Sequence, residues 1–366
     1  MVETRNGLRY VPDYRMPTEE VYTKVARLLI EDDGHLQILS DAQGLKHNPE
    51  LPSWVPDWRG ESLVKPLAER TRTFTQTYRI HGNFEPSEII TPHSDDRMLK
   101  LHGAALGKIK LLIALDELRA ALCSQDIQLD NWSRLLSLPR QFFEMCNAVG
   151  LGGPSTYGPT NEPKSIAFIK TLAADRLPCS SRLTPSDVEE FFPWYSDYDS
   201  LTWREALRPL ALPTSAMDDS SHADVAGGPS REVIGVLLGT VQPTRWNFGS
   251  SNILEKLKVA TVYRNIADDV INAVISKLSQ RAMFVTDTGY MGIGPANATT
   301  GDEVYDLMGG DVPFVLRPTS GENEFGLLGD CYVHGVMDGQ LWRPNADGTW
   351  LESVDGSLEW RAVTLI

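Results

Sequence analysis

The chain has 366 residues, 42% of them apolar, and carries 49 Asp and Glu against 34 Lys and Arg for a net charge of -15. That length and apolar share suffice for one large core or two. The acidic balance excludes general nucleic-acid affinity, which is built from Lys and Arg neutralising phosphates, and the longest apolar runs, 109–115 and 233–238, fall far short of the roughly 20 residues that span a bilayer.

In chain order, Pro17-Thr18-Glu19-Glu20 opens a helix whose Val21, Val25, Leu28 and Leu29 recur at helical spacing, with acidic residues where the helix dipole favours them. Asp32-Asp33-Gly34 stops it, and Gly34 to Leu39 reads as a strand. The element LPSWVPDW, Leu51 to Trp58, follows: two Trp flanking a Pro cannot lie in a regular helix, so the chain is rigid there. Phe74 to His81 and Met98 to Leu106 alternate like strands around a polar loop at 86–97. Ile109 to Leu122 and Trp132 to Val149 read as helices, the second kinked or split by Pro139, and 150–163 as a surface loop.

Six aromatics crowd Phe191 to Trp203, marking either a packed plug or an aromatic wall. The stretch 213–231 reads as a low-complexity linker, and Ser251 to Leu278 as a long amphipathic helix. Beyond it, apolar and β-branched segments (Met283 to Val285, Val304 to Leu307, Val312 to Leu316, Leu327 to Val333) alternate with Gly-rich and Pro-rich punctuation, the signature of short antiparallel strands. The expected fold class is α+β: one body over 1–366 in which a helical middle packs against β structure from both ends, with a small C-terminal antiparallel β-barrel-like unit. Its subregions are 17–122, 123–212, the linker 213–231, and 232–366.

Motifs for nucleotide, metal or nucleophile chemistry are missing. Gly289 to Gly294 has close glycines, but Pro295 follows, so no helix N-terminus is there to receive a phosphate. No Gly-x-Ser-x-Gly, His-Glu-x-x-His or Cys-x-x-Cys occurs. The expectation is a protein with no cofactor and no metal. Cys123, Cys146, Cys179 and Cys331 stand in no metal-like spacing and fit a reducing compartment, and Met1 is followed by charged, polar sequence, so the expected location is cytoplasmic.

Two stretches carry a resemblance. Toward the C-terminus, Tyr290 to Pro295 (aromatic-x-Gly-x-Gly-Pro), the Gly301-Asp302 turn, Pro313 to Arg317 (PFVLR) and Cys331 to Gly335 (CYVHG) follow one another; near the N-terminus, Glu19 to Ile30 leads into LPSWVPDW. In wording and order these resemble the region that follows the effector domain in fungal heterokaryon-incompatibility (HET) proteins. The effector module itself has no counterpart before Val21, so the chain is expected to correspond to the post-effector region alone.

That resemblance leaves two function classes open. One is a regulator acting in fungal non-self recognition through a protein partner. The other, which the missing effector module favours, is a post-effector body recruited as a cofactor-free enzyme of secondary metabolism, an isomerase or pericyclic cyclase such as a [4+2] cycloaddition catalyst. Such an enzyme would hold a flexible apolar small molecule in a reactive conformer. Its candidate catalytic donors are Arg59, Tyr290 and His334, and its candidate substrate-binding walls Trp54, Trp58, Trp194 and Trp246. A closed, aromatic-lined cavity would favour the enzyme, and a packed interior with an exposed apolar patch the interaction role.

Overall fold

The structure, a computed structural model, describes residues 2–3, 9–10, 13, 15–43, 48–60, 64–67, 78–84, 90–91, 94–116, 119, 156–177, 182–184 and 272–366. The chain divides into two compact units, one of residues 1–114, 158–160 and 279–366, the other of 115–157 and 161–278.

In the first unit, a two-residue pair β1 (Val2–Glu3) and β2 (Arg9–Tyr10) precedes helix α1 (Thr18–Asp33). Pro17 supplies the fixed φ that starts α1, and Glu19 and Glu20 lie in its first turn. Gly34 ends it in the left-handed conformation (φ 65°), its N–H donating to the Ile30 carbonyl at 3.0 Å. The start and stop of this helix are those its sequence predicts. The residues after it are not: Gln37–Asp41 form a short helix, α2, where a strand was expected. The Leu36 N–H bonds the Gly309 carbonyl at 3.0 Å, a long-range tie that local alternation does not encode.

The centre of the unit is β3 (Leu99–Ala114). Its first half is the strand that alternation predicts, whereas the sequence predicts that a helix starts at 109. The run KIKLLIAL suits either period, and pairing with β6 (Arg281–Thr286), from Ile109 opposite Thr286 to Ala114 opposite Ala282, decides for strand. Of the expected strand Phe74 to His81, the described part is not strand: Tyr78 and Arg79 form no regular element, and Ile80 and His81 lie in a turn. It is held by Arg79 N–H to the Met337 carbonyl (2.9 Å) and Ile80 N–H to the Asp311 carbonyl (3.3 Å).

The C-terminal strands appear where punctuation predicts them: β7 (Met291–Pro295), β8 (Glu303–Leu307), β9 (Phe314–Pro318), β10 (Glu324–Asp330) and β11 (Tyr332–Val333). The hairpin strands β12 (Trp342–Pro344) and β13 (Leu351–Ser353) and the strand β14 (Arg361–Leu365) complete the unit. Eight strands form one sheet in the order β11-β7-β6-β3-β14-β10-β9-β8, antiparallel except for β10 beside β14. Because β8 also pairs with β3, the ladders β3, β14, β10, β9 and β8 run in a ring. Leu99, Leu101, Val304, Phe314, Leu316, Val363 and Leu365 are buried. The unit is thus mixed α+β with a large sheet built from β3 and the strands between 281 and 365, while β1 and β2 pair only with each other.

Of the second unit, the described part holds the paired strands β4 (Thr156–Tyr157) and β5 (Glu162–Pro163), helix α3 (Lys164–Leu172), and a helical stretch at 272–277. Ile166, Ala167, Phe168, Ile169 and Leu172 of α3 are buried, and Lys170 pairs with Glu162 at 3.0 Å. The expected helix at 132–149, the aromatic run 191–203, the linker 213–231 and most of the helix at 251–278 lie outside the described residues. Among those described, no helix is long and apolar enough to cross a membrane.

Candidate functional site

The rigid element at 51–58 splits its two indoles. Trp54 is fully buried; its indole N–H donates to the Arg97 carbonyl at 2.8 Å, and the Arg27 guanidinium sits 5.5 Å from its ring centroid. Trp58 is 42% exposed and meets the Tyr22 ring of α1 edge-on, centroids 5.0 Å apart. Between them Asp57 accepts from Arg59 Nε and a terminal guanidinium nitrogen, both at 3.0 Å, and from the Asn48 N–H at 2.9 Å. Those hydrogen bonds, the Arg59 side chain foremost, hold the Asp57 carboxyl well below the usual carboxylate range. Arg59 is thereby committed to Asp57 at the surface.

Beside Trp58, α1 shows an unusual division of its apolar residues. Thr23, Ala26 and Ile30 lie on its buried face, whereas Val21, Val25, Leu28 and Leu29, the apolar residues that recur at helical spacing, are only half-buried. At 100° per residue the half-buried set forms a stripe that runs from Leu28 through Val21 and Val25 to Leu29 and Tyr22, next to Trp58. Glu20, Lys24 and Glu31 border it, all exposed.

On another side of the 51–58 element lies an open cleft of about 570 Å³. The Ser53 N–H donates to the Ile366 carbonyl at 2.8 Å, its hydroxyl bonds the same oxygen, and the Leu327 N–H donates to the Ser53 hydroxyl at 2.9 Å. These bonds join the element to β14 and β10. Leu51, Pro52, Met98 and Leu327 supply the apolar lining and Asp95, Arg97 and Asn297 polar groups; no aromatic ring stands among the described lining residues.

The other expected donors lie elsewhere. His334 is buried, its Nδ1 2.8 Å from the Tyr332 hydroxyl, and its N–H donates to the carbonyl of Met291, next to Tyr290. Tyr290 is half-buried, and burial, with the Asp355 charge, raises its pKa. The structure therefore places His334 and Tyr290 on adjoining backbone segments, and Trp54, Trp58 and Arg59 on a separate element whose contacts run to α1 and to residues 48 and 97. Trp194 and Trp246 lie outside the described residues.

Sequence reading missed a buried polar centre. Asp306, fully buried on β8, lies 2.8 Å from His81 Nε2 and accepts from the Trp342 indole N–H at 2.5 Å. Trp342 stacks on Trp360 at 4.4 Å, and Trp350 meets Trp360 edge-on at 6.3 Å. A carboxylate inside the apolar run EVYDL was the available signal, since a buried charge needs partners. Arg281 and Asp330 form a second such centre, an ion pair at 2.7 Å with side chains 2% and 0% exposed. Among the described residues no group of three or more His, Cys, Asp or Glu is placed to hold a metal ion.

Residues 251–347 match the family model of the Het-6 beta-barrel domain. The chain is also similar to "Heterokaryon incompatibility protein 6, OR allele" of Neurospora crassa, at 22% identity over an alignment that covers 92% of this chain and 46% of the relative. It thus spans about half the length of that curated relative. No solved structure matches. With a Het-6 barrel region matched and the likeness extending over most of its length, the chain resembles the heterokaryon-incompatibility proteins.

Proposed function

We propose that the protein is a non-enzymatic recognition protein of the heterokaryon-incompatibility kind, its β sheet a packed scaffold and the α1–Trp58 surface its contact site. The observation that carries this reading is how the indoles are used. Trp54, Trp342 and Trp360 donate their N–H groups to protein acceptors, the first two buried and the third half-buried in the stack with Trp342, while Trp58 is left at the surface beside a half-buried apolar stripe. A cyclase would place its rings around an enclosed cavity; the cleft described here is open, and its described lining has no ring. Similarity to a protein named for heterokaryon incompatibility supports the same reading.

The test is fusion of two otherwise identical fungal strains, one expressing the chain and one lacking it, beside metabolite profiling of each. A recognition protein is expected to impair growth of the mixed heterokaryon and leave the metabolite profile unchanged. Normal heterokaryon growth, together with an apolar precursor that accumulates when the gene is deleted and is converted by the purified protein without added cofactor, overturns the reading in favour of a cyclase or isomerase.

A further inference from the structure

We infer that the outer face of α1, together with Trp58, docks a basic amphipathic segment of a partner protein, one whose apolar helix face is bordered by Lys or Arg. This deepens the recognition reading above and rests on it.

The centre of the surface is apolar and only half covered: Val21, Val25 and Leu28 of α1, continued by Tyr22 and the exposed ring of Trp58. Side chains at i, i+4 and i+7 present the ridge that a partner helix reads in groove-type recognition. Trp and Tyr are the residue types that most often dominate binding energy, because they offer large rigid area at small entropic cost. The T-shaped contact with Tyr22 holds the Trp58 ring, so less freedom is lost when a partner covers it.

The rim selects the occupant. Glu20, Glu31 and Asp33 are exposed around this face and Glu19 is half-exposed, against one exposed cation on the helix, Lys24. Arg59, the cation nearest Trp58 in sequence, is already neutralised by Asp57. A whole-chain charge of -15 adds to the same field. A second copy of this chain would bring an identical acidic rim against it, and an anionic membrane or nucleic acid would meet the same repulsion. Basic residues flanking an apolar face are the complementary chemistry.

The experiment uses the full chain and three synthetic helical peptides titrated by calorimetry at low and physiological salt. The first carries leucines on one face and lysines elsewhere, the second replaces the lysines by glutamates, and the third replaces the leucines by serines. The leucine-lysine peptide is expected to bind saturably, more weakly as salt rises, while the leucine-glutamate peptide does not bind. The serine-lysine peptide is expected to bind at least about tenfold more weakly, as loss of the apolar anchors dictates. Trp58→Ala and the double change Glu20→Lys with Glu31→Lys should each weaken the first peptide by about tenfold. The charge variant alters exposed positions only, so it tests the surface even if Trp58→Ala disturbs packing.

Equal affinity for the leucine and serine peptides, or unchanged affinity in the charge variant, overturns the inference, because binding would then be no more than general attraction to an acidic protein. The strain-fusion assay separates the two levels. If the wild-type chain impairs heterokaryons and the charge variant does so equally, this surface falls while the recognition reading stands; if the wild-type chain has no effect, the recognition reading falls.

Discussion

Asp330 and Arg281 show what a single buried carboxylate does in this fold. Asp330 accepts from Arg281 through one carboxylate oxygen and from the Leu67 N–H through the other, and its carbonyl and that of Lys65 take further guanidinium hydrogens at 2.9 Å. Replacing Asp330 with Ala strands a buried cation and an amide together, so we expect a loss of about 3–5 kcal/mol in denaturant unfolding. The double change with Arg281→Met should lose less than the two single changes summed, because the uncompensated charge disappears. Tyr305 gives a pH signature of the opposite end of the scale. Its phenol is pushed up to about 12, first by burial and then by the Glu303 charge. A folded-state value above the unfolded one stabilises below the unfolded value of about 10 and is lost as pH rises toward 12. Alkaline ultraviolet titration should show a late phenolate component that Tyr305→Phe removes, and the wild-type protein should lose stability across that window. At this scale the sequence was partly legible: it marked Trp54 and Trp58 as important but not that one would be buried and one exposed, since that depends on the Arg97 carbonyl and on Tyr22, each more than a turn away in sequence.

Among the elements, β3 is the one that local pattern reads half correctly. Its registry shifts between Ala105 and Gly107 against β8, and Gly107 there has φ 138°. A Cβ at Gly107 would lie 2.5 Å from the Thr288 hydroxyl and 2.8 Å from an Asp287 carboxylate oxygen, the oxygen that accepts the Lys108 N–H. Gly107→Ala is therefore expected to lower stability by about 1–3 kcal/mol, from strain in backbone and contact together, and thermal melting of the full chain checks it. The irregularity lets one strand serve β14 and β8 along 99–108 and β6 along 109–114. Nothing in the run KIKLLIAL announces those partners, which lie more than 150 residues downstream. By contrast β6 to β10 were legible because each pairs with a neighbour across a short turn marked by Gly, Pro or Asp. Helix α1 was legible at both ends but not around its circumference: apolar spacing identifies that a face exists, while the buried Thr23, Ala26 and Ile30 show which face lies closest to the core.

For the whole molecule, the sheet imposes an order on synthesis. Residues 99–114 leave the ribosome with both edges of a long apolar strand open, and the strands that cover them, at 281–286, 303–307 and 361–365, follow only after most of the chain has been made. Pairings so distant in sequence close slowly, and open edges invite association with other nascent chains. Lys100, Lys108 and Lys110 on β3 put charge along that strand, the kind of placement that discourages premature pairing. Production of this protein in the cell is thus tied to chaperone capacity in a way that a sheet built from adjacent hairpins is not: a strain short of holdases would lose it to aggregation before its final strand arrived.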